Sequence, residues 1–267
     1  MSIMKILYIG DIMGRPGRNT VKQVLPGLIA ERGIDFVVAQ GENLSSGKGM
    51  QIASVNEMMA AGIDAFTAGD WTLHREEIYP WLEDPSKPVV RPANYPAGTP
   101  GQPYKVVQTP FGAVLIISLL GQTVGYRSPL VENPLAVVDR ILEVTKSQKF
   151  VASIVNFHGD FSSEKIVIGQ YLNGKVTAVF GDHWHVPTAD ARILSLGTAH
   201  ITDVGMVGSR DSSLGIKSSI IIDRWKTDQR SRNELETNGQ MQFCSVLFDV
   251  NINTQRATSI EQIISFV

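Results

Sequence analysis

Apolar runs and amphipathic stretches alternate along the first half of the chain. Lys5-Ile6-Leu7-Tyr8-Ile9-Gly10-Asp11 is almost continuously apolar up to Gly10, the pattern of a strand covered on both faces. A Gly/Pro loop with two arginines, 12–18, follows it. Val21, Val24, Leu25, Leu28 and Ile29 then recur at helical spacing, which predicts a helix over 19–31 with Gly33 as its stop. The same alternation continues with a strand at 35–40, a helix at 52–61, a strand at 65–68 and a short helix at 76–82. Beyond a Pro-rich loop, 113–120 predicts another buried strand, 135–145 a helix, and 151–157 a strand. Strands are further predicted at 176–180, 199–203, 218–222 and 243–250, and the polar stretch 227–240 reads as a surface excursion.

Strand–helix alternation in the first half argues for a largely parallel sheet with right-handed crossovers. The surplus of strands in the second half suggests a second sheet packed on the first. No internal repeat, low-complexity segment or linker interrupts the 267 residues, so one α/β domain is expected. A hydrophobic content of 43% is enough for a sizeable core. The formal net charge of -2 gives no support to binding long nucleic acid, although a positive pocket is still compatible with it. Cys244 is the lone cysteine, which rules out an intrachain disulfide and suits a reducing compartment; its apolar setting, 243–248, reads as a buried strand. No apolar run approaches the roughly 18 residues of a membrane span, and no signal segment is evident, so a soluble cytoplasmic protein without membrane partners is expected.

The candidate chemistry sits where these strands end. In open α/β sheets ligands bind at the carboxyl ends of strands. Those ends carry Asp11, Glu42 with Asn43, Asp70, His158, and then His183 and His185, most of them beside a glycine that permits close approach. In extended backbone His183 and His185 would point to one side, and Asp182 or Asp190 could orient a ring from behind. Taken singly, Asp11 and Asp70 could be helix caps and Asn43 a turn residue. Carboxylate, amide and imidazole donors at one sheet edge suit a pair of first-row metal ions, which lower the pKa of water and clamp phosphate oxygens. His200 stands alone in a strand and reads as structural. Arg15 and Arg18 are candidate phosphate contacts or ordinary surface arginines. Trp184 and Tyr126 are base-stacking candidates or rim packing.

Gly10-Asp11-x-x-Gly-x-x-Gly17-Arg18, Gly41-Glu42-Asn43, Phe157-His158 and Gly181-x-His183-x-His185-Val186-x-Thr188-Ala189-Asp190 resemble one branch of the calcineurin-like metallophosphoesterases, which contains bacterial di-metal phosphodiesterases of cyclic nucleotides. Arg91-Pro92-Ala93-Asn94-Tyr95-Pro96 and Thr202-Asp203-Val204-Gly205-Met206 resemble it too, so the likeness runs nearly the whole chain. It implies a four-layer α/β-β/α sandwich, two central mixed sheets flanked by helices, and a homo-oligomer. By position it implies that Asp11, Glu42, Asn43 and His185 serve one metal and that a bridging Glu42, Asp70, His158 and His183 serve the other. Iron or manganese is the implied metal, with zinc as a further candidate. The implied activity is a dinuclear phosphodiesterase that cleaves cyclic nucleotides or related small phosphoesters through a metal-bridging hydroxide. The departure is Gly69-Asp70-Trp71, where the family pattern is Gly-Asn-His and the His protonates the leaving oxygen. An indole N–H is a hydrogen-bond donor only, so Trp71 cannot take over that step. His74, three residues on, is the candidate substitute acid. The alternative is a catalytically weakened, metal-bound protein that binds a nucleotide or a partner for regulation.

Overall fold

The computed structural model describes residues 2–125 and 130–267, and its elements follow from the apolar patterning. The first strand, β1 (Ile3–Ile9), turns Ile6 and Tyr8 to one face and Leu7 and Ile9 to the other. Both faces are apolar because both are covered. At Gly10 the chain bends against Gly205, whose carbonyl oxygen would stand 1.9 Å from any Cβ at position 10. β2 (Asp11–Ile12) follows, and α1 (Gly14–Arg32) then begins inside the predicted Gly/Pro loop. Pro16 lies in the first turn of α1, where its missing N–H forfeits no helical bond. Gly33 closes α1 in the left-handed conformation, φ 62°.

β3 (Phe36–Gln40), α2 (Ile52–Ala60) and β4 (Ala65–Thr67) complete the first αβ units. The predicted short helix starts as 3₁₀ turns, Thr72–His74 and Glu76–Ile78, and becomes α3 (Tyr79–Glu83). The second half runs β5 (Tyr104–Thr109), β6 (Gly112–Leu120), α4 (Pro134–Thr145), β7 (Ala152–His158), α5 (Ser162–Leu172) and β8 (Ala178–Asp182). It continues with β9 (Arg192–Ile193), β10 (Ala199–Ile201), β11 (Met206–Ser209), α6 (Ser218–Thr227), β12 (Met241–Asn251) and β13 (Arg256–Phe266).

In the first sheet β4, β3 and β1 run parallel, and β12 lies antiparallel beside β1. β13 pairs with β12 along its length, while β11 joins β12 to β2. In the second sheet β6, β7, β8 and β10 run parallel in that order, with β5 and β9 antiparallel at its edges. One apolar core lies between the sheets, where Tyr8, Val38 and Phe248 meet Ile116, Ile154 and Phe180. A second lies under α1 and α2 around Val21, Leu25, Val55 and Met58, and a third under α4 and α5 around Val138, Ile141, Ile168 and Leu172. The order helices, sheet, sheet, helices is the four-layer α/β sandwich that the family resemblance implied. Cys244 is fully buried in β12, as expected.

One element differs in kind. Residues 218–222, predicted as a strand, form the first half of α6. Ile220-Ile221-Ile222 is too short a run to show a period. A helix satisfies its own backbone groups, so this segment needs no neighbouring strand, and none of its residues is buried. Among the described residues no helix is long and apolar enough to cross a membrane.

Candidate metal centre

The carboxyl ends of β1, β3, β7 and β8 meet at one edge of the two sheets, and the polar side chains beyond them converge. Glu42, Asp70, His158 and His183 each bring one donor atom within 4.8 Å of the others. His158 Nε2 lies 3.1 Å from Glu42 Oε1 and 3.2 Å from Asp70 Oδ1. His183 Nδ1 lies 4.0 Å from that same Asp70 oxygen, and its ring packs edge-on to His158 at 4.4 Å. Beside this group His185 Nε2 faces Asp11 Oδ1 at 3.8 Å. Asn43 follows Glu42 directly, and its Nδ2 donates to the Gly47 carbonyl at 3.0 Å. Asp11 Oδ1 and Asn43 Oδ1 are buried acceptors with no hydrogen-bond donor among the described residues. Burying such atoms unpaired is costly, and a cation would relieve both.

Each imidazole is held from behind. His158 Nδ1–H donates to Asp182 at 2.7 Å, His183 Nε2–H to Asp160 at 2.9 Å, and His185 Nδ1–H to the Leu214 carbonyl at 3.2 Å. The remaining nitrogen of every ring is thereby left facing the carboxylates, the tautomer arrangement of metal-ligating histidines. The His-x-His pair is not extended, contrary to expectation. His183 has φ 97° and His185 φ 62°, so the two rings diverge, one toward Asp70 and the other toward Asp11. That backbone is strained for residues with a Cβ, and such strain gathers at functional sites.

Protonation follows from the crowding. Burial pushes the Asp11 carboxyl well above the usual range, and the Asp182 charge adds to it. Burial also raises Glu42, against the pull of His158. For Asp70 burial acts upward, but the hydrogen bond and charge of His158 outweigh it and leave the carboxyl below its usual value. Burial would depress His158, yet Glu42, Asp182 and Asp70 hold its ring well above an ordinary imidazole. Burial and the neighbouring histidines take His183 and His185 down to about 4, so both offer a neutral nitrogen at neutral pH. Carboxylates, an orphaned amide oxygen and inward-facing imidazoles together are a donor set for first-row metal ions.

Residues 7–263 match the family described as YmdB-like protein. The chain belongs to that family. Its membership places the chain among the calcineurin-like metallophosphoesterases, a superfamily of metal-dependent phosphoesterases. A Bacillus subtilis (strain 168) relative, a 2',3'-cyclic-nucleotide 2'-phosphodiesterase, is 38% identical over 98% of this chain and 97% of its own. A crystal structure of a Mycoplasma pneumoniae protein described as a novel phosphatase superposes with a TM-score of 0.91 at 30% identity, covering all of this chain and 94% of that one. A hypothetical protein from Thermus thermophilus gives 0.88 at 33% identity over 98% and 99% of the two chains.

Within this YmdB-like fold the departure at 69–71 has a definite geometry. Asp70 stays among the inward-facing donors, while the Trp71 backbone N–H donates to Glu42 Oε2 at 3.0 Å. The half-buried indole carries the Lys48 ammonium 4.5 Å from its centroid on the face and His74 edge-on at 5.1 Å. His74 is exposed at the end of its 3₁₀ turn. Several other sequence candidates serve the framework. Arg18 is tied to Glu57 and the Leu44 carbonyl, and Trp184 donates to the Asp160 carbonyl under Lys165. Asp190 accepts from Thr188 and Thr202 and so shapes the loop after His185. His200 is buried and donates to the Val179 carbonyl. Arg15 is exposed, and Tyr126 lies outside the described residues.

Sequence reading named Asp182 as a residue that could orient a ring but overlooked what holds Asp182 itself. Asp182 accepts from Tyr8, Gln40 and Asn156 as well as from His158, and these donors come from β1, β3 and β7. The available signal was polar side chains in otherwise apolar buried strands, Gln40 at the end of Phe-Val-Val-Ala-Gln and Asn156 inside Ala-Ser-Ile-Val-Asn-Phe-His. Asp160 and the buried pair Lys165–Asp203 were likewise not assigned.

Proposed function

We propose that the protein is a dinuclear metal-dependent phosphodiesterase of cyclic nucleotides or related small phosphoesters. The observation that carries this reading is the set of three imidazoles, each fixed from outside and turned inward on buried carboxylates. Asp11, Asn43 and His185 would hold one ion, Asp70, His158 and His183 the other, and Glu42 would bridge them. Iron or manganese suits these donors, and zinc accepts the same set. When bound, such a pair supplies Lewis acidity to a phosphoryl oxygen and makes water a better nucleophile at neutral pH. The chain's own part is to fix the donors, to keep His183 and His185 neutral, and to shape the rim through Trp71. The activity of the Bacillus subtilis relative supports a 2',3'-cyclic nucleotide as the first substrate to try. A cytoplasmic homo-oligomer completes the reading; light scattering that finds only monomer at micromolar concentration contradicts the oligomer.

Trp71 supports a second reading, a metal-bound regulatory or nucleotide-binding protein with weak hydrolysis. The two separate on turnover of an activated aryl phosphodiester beside a cyclic nucleotide, for native protein and Trp71→His. An aryl leaving group scarcely needs protonation, so the phosphodiesterase reading expects native cleavage of it. The variant should then gain on the natural substrate alone, by up to about 10²–10⁴-fold. A native cyclic-nucleotide rate that collapses in His74→Ala identifies His74 as the acid. No cleavage of either ester by metal-loaded protein leaves the binding reading.

A further inference from the structure

The site is rich in negative charge, and a phosphodiester is itself an anion. Five carboxylates, Asp11, Glu42, Asp70, Asp160 and Asp182, stand within or directly behind it. Of the lysine and arginine side chains on the surrounding elements, among the described residues, Arg18, Arg75 and Lys165 are committed elsewhere. Arg18 is bound to Glu57 and the Leu44 carbonyl. Arg75 donates to the carbonyls of Lys48 and Ser45, at 2.8 and 3.0 Å. Lys165 is fully buried between Asp203 and the Asp182 carbonyl, each at 2.7 Å.

Lys48 is different. Its ammonium lies 4.5 Å from the Trp71 ring centroid, and among the described residues it has no hydrogen-bond or carboxylate partner. The turn that carries it is built to hold it there. Gly47 N–H donates to the Asn43 carbonyl, Lys48 N–H to the Ser45 carbonyl, and Ser45 N–H to the Gly49 carbonyl. Gly47 and Gly49 take φ 78° and 72°, and Arg75 clamps the outer carbonyls. The same turn accepts from Asn43 through Gly47, and the indole's own backbone N–H is bound to Glu42. Both halves of the Lys48–Trp71 pair are therefore anchored on candidate metal ligands.

We propose that Lys48 is the substrate-anion contact of this site, its ammonium binding a non-bridging phosphoryl oxygen with Trp71 as the platform that positions it. This rests on the phosphodiesterase reading above. In the hydrolysis, a water oxygen forms the new bond to phosphorus and its released proton goes to solvent. The bond to the leaving oxygen breaks, and that oxygen departs with the electron pair and takes a proton from solvent. Lys48 keeps its protons throughout and offsets the negative charge on the phosphoryl oxygens, the usual use of a preorganised cation.

The test compares native protein, Lys48→Ala and Lys48→Arg, each loaded with Mn²⁺ and assayed for bound metal. Inorganic phosphate binding is followed by calorimetry, and kcat/KM is measured on an aryl phosphodiester. Lys48→Ala should weaken phosphate binding and lower kcat/KM by about 10–100-fold each, the scale of a charge-assisted hydrogen bond. Its metal content should match native, and Lys48→Arg should recover most of both losses. Unchanged phosphate affinity in Lys48→Ala, with native protein hydrolysing the ester, overturns the contact and leaves the phosphodiesterase reading intact. A loss of bound metal in Lys48→Ala that Lys48→Arg does not restore also overturns it, because the role is then structural. Lys48-dependent phosphate binding without ester hydrolysis supports the contact and contradicts the activity. Native protein that neither binds phosphate nor hydrolyses the ester contradicts both.

Discussion

At Gly69 a hydrogen is all that the space admits. A Cβ there would stand 2.3 Å from Glu42 Oε2 and 2.4 Å from His158 Cδ2, atoms of two of the side chains that converge on the centre. Neither side chain can yield, since Glu42 is bound to the Trp71 N–H and His158 to Asp182. Gly69→Ala should therefore lower bound metal and cost at least about 10²-fold in turnover, the scale of a displacement near 1 Å at a reacting centre. Full metal content and native turnover in that variant contradict the packing described. The seven candidate ligands were legible because each ends an apolar strand, and Gly69 because it sits beside one. The polar cage around Asp182 was less so. Tyr8, Gln40 and Asn156 lie in strands whose burial is apparent from the sequence, but what they bond depends on which strands become neighbours. The divergence of His183 and His185 was hidden for a local reason, since nothing in His-Trp-His announces two positive φ angles.

At the scale of elements, apolar periodicity located β1, β3, β4, β6, β7, β8, β10 and β12 and placed a helix near each of α1 to α4. It missed where context decides. α5 carries Lys165 and Gly169 among its buried positions, so its inner face reads as less apolar than it is. β13 is half exposed at a sheet edge, and residues 218–222 look like a strand until α6 closes its own hydrogen bonds. The α5 exception is informative. Lys165 reaches from that helix to Asp203 just past β10 and to the end of β8, linking the outer helical layer to the strand that presents His183. Lys165→Met should destabilise the protein by about 3–5 kcal/mol in denaturant unfolding, because Asp203 would be left as a buried, unpaired charge. A change below about 1 kcal/mol would show that the pair is not coupled to folding.

For the whole molecule, the core between the sheets joins elements from both halves of the chain, as Tyr8 on Phe180 and Phe180 on Phe248 illustrate. We propose on that basis that the chain unfolds as one domain, in a single transition that shifts upward with metal. A ligand that binds only the folded state adds RT ln(1 + [L]/Kd), about 2.7 kcal/mol at a hundredfold excess over Kd. Two separated transitions, only one of them moved by Mn²⁺, would divide the chain into two units instead. The central claim is the pair of metal ions, and the most direct measurement is elemental analysis of protein purified without chelator, native beside Glu42→Gln. Two first-row ions per native chain are expected, with both lost together in the variant, because Glu42 is assigned to the bridge. Loss of a single ion in Glu42→Gln places the bridge elsewhere, and native protein that carries no metal and takes up neither Mn²⁺ nor Fe²⁺ contradicts the account.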